Sequence, residues 1–229
     1  FDHADIYDDL DEIIENFDRL MDLMSEGTTL VANMDDPLVV ARSKIARGQV
    51  RYFGLNEGAN VRAGAIEPFE GGVRFELFID DFSMGTVMSP MSGAHNVSNV
   101  LAAFSVCEAY GADWRALIEA LVSFKGTDKR QDEKGTFDGV LIVDDFAHHP
   151  TAIETTLVGL KQQYGQRRLW AVYEPKSNTA RRNIHQTAYE TAFLPADQVL
   201  IATPYQKDDG LKPEDMLDVA YLTQALTDG

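Results

Sequence analysis

The feature that most constrains this chain is the regular exchange of strand-like and helix-like stretches after residue 135. Residues 140–143, 169–173 and 199–202 are short apolar runs of strand length. Stretches of helical character follow each of them, over 150–164, 180–194 and 213–227. Such alternation predicts a parallel sheet joined by crossover helices that pack on it. Ligands of open α/β sheets gather at the carboxyl ends of the strands. The loops after residues 143, 173 and 202 are therefore the first places to look for chemistry.

The preceding part has a different texture. Ile6, Leu10, Ile13, Ile14, Phe17, Leu20, Met21 and Met24 recur at helical spacing opposite Asp8, Asp11, Glu12, Glu15 and Asp18. This predicts an amphipathic helix ended near Gly27. A strand over 29–33, a helix from Asp35-Asp36-Pro37 to about Ala46, and a strand over 50–53 follow. Residues 61–66, 73–79 and 82–88 read as strands of a small antiparallel sheet, with Gly71-Gly72 at a hairpin turn. Helices are predicted over 95–110 and 114–124. The polar, charged, glycine-flanked segment 126–135 is the natural domain boundary.

Composition removes several function classes. A formal net charge of −17 repels phosphate backbones and argues against nucleic-acid binding. The sequence has no apolar run of bilayer-spanning length, and the acidic start Phe1-Asp2-His3-Ala4-Asp5 lacks the basic flank of a secretory signal. Cys107 is the only cysteine, so a disulfide framework is excluded; its place in the apolar run 97–110 predicts a buried, inert thiol. A cytoplasmic enzyme or binding protein is expected, with no protein partner indicated. The chain does not start with Met and contains no Gly-x-x-x-x-Gly-Lys-Ser/Thr phosphate loop, no Gly-x-Ser-x-Gly elbow and no His-Glu-x-x-His.

Four groups of residues could carry chemistry. Asn96 and Asn99, beside His95 at a predicted helix start, share a helix face, and an amide offers the donor and acceptor that an adenine edge requires. Helix capping by Asn96, with Asn99 in solvent, explains the same residues. Asp144-Asp145-Phe146-Ala147-His148-His149-Pro150 closes the first strand of the last region. Its acids could accept from ribose hydroxyls or join the histidines on a metal, or simply build a turn. Arg130, in the linker segment, could reach a phosphate or remain a solvated charge. Lys161, Arg167, Arg168, Lys176, Arg181 and Arg182 form a basic stretch interrupted only by Glu174. The last three lie at the ligand edge; the first three suit a solvated helix end.

Taken in order, these segments resemble the Mur ligases. Gly93-Ala94-His95-Asn96-Val97-Ser98-Asn99 is similar to the family's adenine-binding run, and Gly126-Thr127-Asp128-Lys129-Arg130 to its interdomain Gly-x-x-x-Arg motif. Asp144 to Pro150 resembles its Asp-Asp-Tyr-Gly-His-His-Pro signature. The run Tyr173-Glu174-Pro175-Lys176-Ser177-Asn178-Thr179-Ala180-Arg181-Arg182 looks most like the branch that recycles murein peptides. The resemblance implies an α/β protein. Residues 1–130 would be the C-terminal part of the central ATP-binding domain, an α/β sheet plus a small antiparallel sheet. Residues 131–229 would be a Rossmann-like C-terminal domain, incomplete at its end, with the phosphate loop expected upstream of Phe1.

The activity implied is ATP-dependent ligation of L-alanyl-γ-D-glutamyl-meso-diaminopimelate to UDP-N-acetylmuramate through an acyl phosphate, in peptidoglycan recycling. ATP and Mg²⁺ are the cofactors implied. His3 would bind the metal; Asn96, with His95 and Asn99, the adenine; Asp145 the ribose; and Arg130 the phosphates. His148 joins Arg130 among the catalytic residues implied. Lys176, Asn178, Arg181 and Arg182 would lie near the incoming peptide. The alanine-adding branch of the family, a metal-dependent phosphoesterase built on Asp144, Asp145, His148 and His149, and a non-catalytic nucleotide-binding module are the alternatives.

Overall fold

The structure, a computed structural model, describes residues 6–69 and 71–228. It divides into two compact units, one spanning Asp11–Gly126 and the other carrying Thr127–Gly229.

In the first unit, helix α1 (Leu10–Asp22) starts later than its apolar spacing suggests. A five-stranded sheet follows in the order β1 (Thr29–Asn33), β2 (Gln49–Gly54), β3 (Val61–Phe69), β4 (Gly72–Ile79) and β5 (Phe82–Ser89). Strands β1, β2 and β3 pair in parallel, and β3, β4 and β5 antiparallel. The antiparallel strands thus continue the parallel pair in one mixed sheet. Between β1 and β2, helix α2 (Pro37–Ser43) is capped by Asp36, whose carboxylate accepts from the Leu38 amide at 2.8 Å. Asp35 ties the end of β2 by accepting from the amides of Leu55 (2.7 Å) and Asn56 (3.0 Å). Gly54 permits this, because a Cβ there would lie 2.8 Å from the Asp35 carboxylate.

Helices α3 (Ala94–Ala109) and α4 (Trp114–Ser123) complete this unit. Alternation along β4 sends Val73, Phe75, Leu77 and Ile79 inward, against Val97, Val100, Leu101 and Phe104 of α3. Each such burial contributes about 1.5–3 kcal/mol. Cys107 is exposed, contrary to the expectation from its apolar surroundings. The last turn of α3 meets the sheet through Glu108, 2.7 Å from Arg51 on β2, and an ion pair there replaces apolar cover.

The second unit opens on a hairpin. Strand β6 (Asp132–Phe137) pairs antiparallel with β7 (Val140–Asp144) across Asp138-Gly139, both at positive φ (49° and 83°) as a tight two-residue turn demands. The segment expected to be linker throughout therefore ends in a strand. Helix α5 (Pro150–Gln163), strand β8 (Trp170–Tyr173), helix α6 (Gln186–Ala192), strand β9 (Gln198–Ile201) and helix α7 (Val219–Asp228) follow. β8 and β9 pair in parallel as predicted. The alternation predicts that β7 joins them, but its ladder among the described residues is the antiparallel one with β6.

Two predicted helices are shorter than their sequence character. The helix expected from Ala180 begins with a 3₁₀ turn at Asn183–His185, and the one expected from Pro213 breaks after a 3₁₀ turn at Pro213–Asp215. One cause serves both. Arg182 bridges Met216 in antiparallel fashion, and the Leu217 amide donates to the Arg181 carbonyl at 2.9 Å, which holds both segments extended. Ile153 and Leu157 of α5, Tyr189 and Phe193, and Leu217 and Leu222 pack on Ala171 and Tyr173 of β8 to form the core.

Candidate functional site

In the first unit, the residues of interest sit in the first turns of α3. Gly93 occupies the cap position at φ 86°, without a side-chain cap. Asn96 is inside the helix and buried, so the capping alternative for this residue fails. Its Nδ2 donates back to the Ser92 carbonyl at 2.8 Å, and its Oδ1 accepts from Asn99 Nδ2 at 3.4 Å. The amide is thus held in one orientation. His95 is half-buried and Asn99 exposed.

In the second unit, the turn after β7 is tied down at nearly every residue. The Asp145 carboxylate accepts from the amides of Gln131 (2.8 Å) and Ala147 (2.7 Å), with Thr156 Oγ1 at 3.5 Å. The His148 ring lies 3.0 Å from the Phe146 carbonyl oxygen. His149 caps α5 by accepting from the Thr151 amide at 3.3 Å and meets the ring of His185 edge-on at 4.6 Å. The His148 carbonyl accepts from two buried phenols, Tyr189 (2.7 Å) and Tyr173 (3.1 Å), which are 3.0 Å apart. Burial, then the neighbouring Tyr189, pushes the Tyr173 hydroxyl above its ordinary pKa, so it remains a donor at neutral pH. Arg130 is exposed, with its guanidinium carbon 5.6 Å from the Phe146 ring centre.

The loop after β8 carries the basic residues. Lys176 is exposed, and Asn178 accepts from Lys207 at 3.4 Å. Arg181 is 2% exposed and grips Asp209 with both terminal nitrogens, at 2.7 and 3.2 Å. It stands ahead of the 3₁₀ turn, not at a helix start, and so does the half-buried Arg182. Lys161, on α5, pairs with Asp197, and Arg167 and Arg168 are exposed. His3 lies outside the described residues. Among the described residues, no three His, Cys, Asp or Glu side chains converge to hold a cation, so the four-ligand phosphoesterase arrangement is not present there. Among the same residues, no helix is long and apolar enough to cross a membrane.

Sequence reasoning gave no part to the Phe146 ring or the Tyr173 hydroxyl within the motifs it quotes, and none to Tyr189 or Asp209. The two tyrosines follow no local pattern, and Asp209 is 28 residues from its partner Arg181.

Two α/β units, the second with its polar side chains collected in loops at strand carboxyl ends, define a protein of the ligand-binding α/β class. The comparisons make this specific. The Mur ligase middle domain matches residues 1–107, and the Mur ligase glutamate ligase domain matches residues 129–227. The chain belongs to the Mur ligase family, whose members form amide bonds at the expense of ATP. A UDP-N-acetylmuramate–L-alanine ligase from Desulfitobacterium hafniense is 33% identical over 202 residues, 88% of this chain and 44% of the relative. The enzyme of that name from Clostridium novyi is 31% identical over 94% of this chain and 47% of the relative. Among solved structures, a murein peptide ligase from Psychrobacter arcticus aligns with TM-score 0.62 and 27% identity, covering 97% of this chain and 44% of that one. A UDP-N-acetylmuramate–alanine ligase from Thermotoga maritima, 19% identical, shares the fold with TM-score 0.75 over 99% of this chain and 46% of its own. The chain therefore spans less than half the length of these relatives.

Proposed function

We propose that the full-length protein carrying this chain joins L-alanyl-γ-D-glutamyl-meso-diaminopimelate to UDP-N-acetylmuramate at the expense of ATP, in the recycling of cell-wall peptides. A muramate carboxylate oxygen attacks the γ-phosphorus of ATP and ADP leaves. The peptide's amino nitrogen then attacks the acyl carbon, phosphate leaves, and the nitrogen gives up a proton. Catalysis of this kind is positioning and charge stabilisation more than covalent participation by the protein.

The residues take the following parts in this reading. Asn96 presents its amide to adenine, with His95 and Asn99 beside it. Arg130 reaches the phosphates, His148 acts with it, and Asp145 accepts from the ribose. Lys176, Asn178, Arg181 and Arg182 serve the incoming peptide, Arg181 through the loop it clamps. The family's reaction also uses Mg²⁺, for which the described residues supply no cage.

The observation that carries the choice of amine is the run Glu174-Pro175-Lys176-Ser177-Asn178, which places a cation and an amide in the loop after the carboxyl end of β8. A second reading, ligation of L-alanine, is favoured by the identity with the alanine ligases. One experiment separates them. ADP release by the full-length protein is measured with UDP-N-acetylmuramate plus either amine. Release with the tripeptide and not with L-alanine is expected; release with L-alanine alone refutes the recycling assignment while leaving the ligase chemistry standing.

A further inference from the structure

The linker segment that carries Arg130 is not loose chain. Lys129 and Gln131, on either side of it, both hold positive φ (57° and 50°), which non-glycine residues adopt only when their surroundings impose it. What imposes it is visible. The Phe146 amide donates to the Lys129 carbonyl at 2.8 Å. The Gln131 amide donates to Asp145 Oδ2 at 2.8 Å. The Arg130 amide closes the turn on the Thr127 carbonyl at 3.1 Å. Arg130 is thus pinned through both of its chain neighbours, and its guanidinium lies within cation–π range of the Phe146 ring at 5.6 Å.

The seat is itself immobilised. Asp145 Oδ1 is taken by the Ala147 amide, and the Thr156 hydroxyl of α5 stands 3.5 Å from the same atom. The Phe146 ring packs edge-on against His148 at 5.1 Å, and the His148 carbonyl is held by Tyr173 and Tyr189 from the core. An exposed arginine would otherwise spread over many rotamers. Here its backbone is held to the turn, and its head has an aromatic partner on that same turn.

We infer that the turn Asp145–His148 is the seat that sets Arg130, with Asp145 and Phe146 as positioning residues for its guanidinium. The use made of that guanidinium rests on the reading above, in which it meets the phosphates of ATP. Asp145 then acts on two levels, since a carboxylate has acceptor capacity beyond the two amides it already serves. Its effect through Arg130 must vanish when the guanidinium is gone.

The experiment has two arms, both on the full-length protein. In the first, amide hydrogen exchange is followed at Gln131 and Phe146. Asp145→Ala is expected to speed exchange at Gln131 by about ten-fold or more, with Asp145→Asn intermediate, because one amide oxygen replaces two. Unchanged exchange at Gln131 overturns the seat, whatever the protein's activity. In the second arm, kcat/KM for ATP is measured in a double-mutant cycle. Asp145→Ala is expected to cost about a hundred-fold with Arg130 present and only about ten-fold, the share of its own ribose contact, in the Arg130→Ala background. Phe146→Leu, which leaves the main-chain bonds intact, is expected to cost about two- to five-fold in the first case and nothing in the second. Losses of equal size in both backgrounds overturn the inference. If the wild-type protein forms no ADP with either amine, the ligase reading fails and the exchange arm alone decides the seat.

Discussion

Asn96→Asp is nearly isosteric and removes one capability, donation to the Ser92 carbonyl. Asn96 is 9% exposed and Ser92 2%, so the 2.8 Å bond between them lies out of water. Losing a bond of this kind costs about 1 kcal/mol. The replacement oxygen also faces the carbonyl at close range, which disfavours the charged form and raises the introduced carboxyl's pKa above about 3.9. An upward shift of about two units corresponds to roughly 2.7 kcal/mol at high pH, since each unit is about 1.36 kcal/mol. The sign follows from the raised folded-state value. Below about pH 3 the acid is protonated in both states, can itself donate to Ser92, and the penalty is about 1 kcal/mol or less. It grows through about pH 4–6 and levels off at roughly 3–4 kcal/mol. For a domain of about 150–250 residues that melts as one unit, this is a fall in its own melting temperature of roughly 6–16 °C at pH 8. Calorimetric scans of the full-length variant at pH 4.5 and pH 8, beside Asn96→Ala as a control whose loss does not depend on pH, measure it. A variant as stable as wild type at pH 8, or a penalty that does not change with pH, refutes the placement of this amide against Ser92.

Two further substitutions probe the scaffold. Gly72→Ala puts a Cβ 2.0 Å from the Ser89 carbonyl at a residue with φ 142°, so the β4–β5 edge must shift; a loss of about 3 kcal/mol or more in urea unfolding is expected. The Arg181 guanidinium hydrogen-bonded to Asp209 holds that carboxyl down to about 2, a depressed value. The tie to the loop is therefore complete above the ordinary carboxylate pKa of about 3.9 and is lost as pH falls through about 2. Exchange protection of the Leu211 amide, which donates to Asp209, should persist at pH 5, fall away towards pH 2, and be lost at all pH values in Arg181→Ala.

Much of the fold is legible in local pattern because local physics decides it. The alternation of Val73, Phe75, Leu77 and Ile79 fixes one face of β4, and Asp36-Pro37 starts α2 by a cap and a missing amide that needs no partner. The residues that depart from pattern do so because a distant group competes for their backbone. Helical character runs through 213–227, yet Leu217 gives its amide to the Arg181 carbonyl, and the helix waits until Val219. Asp138-Gly139 is a plain hairpin signal that lies just beyond the polar, charged segment 126–135. At the candidate site, residue types and their places at strand ends are visible in the sequence. The partners that orient them are not, because Tyr173, Tyr189 and Thr156 reach Asp145 to His148 from separate elements.

Those partners bear on how the second unit ties chemistry to stability. Tyr173 belongs to β8 and Tyr189 to α6, and both rings pack against Phe193 in the core while their hydroxyls hold the His148 carbonyl. Thr156 is a buried residue of α5, and Arg181 links the loop after β8 to the loop after β9. Each candidate loop is thus oriented by a polar group whose own position is set by apolar packing. Rigid elements fix a loop more tightly than the loop's own torsions can. A rotation of the Tyr189 ring, which is fully buried, would move the His148 carbonyl, and with it the turn on which Arg130 is seated. Geometry at the strand ends is then a property of the core, and small changes in packing there should disturb the placement of Arg130 before they unfold the unit.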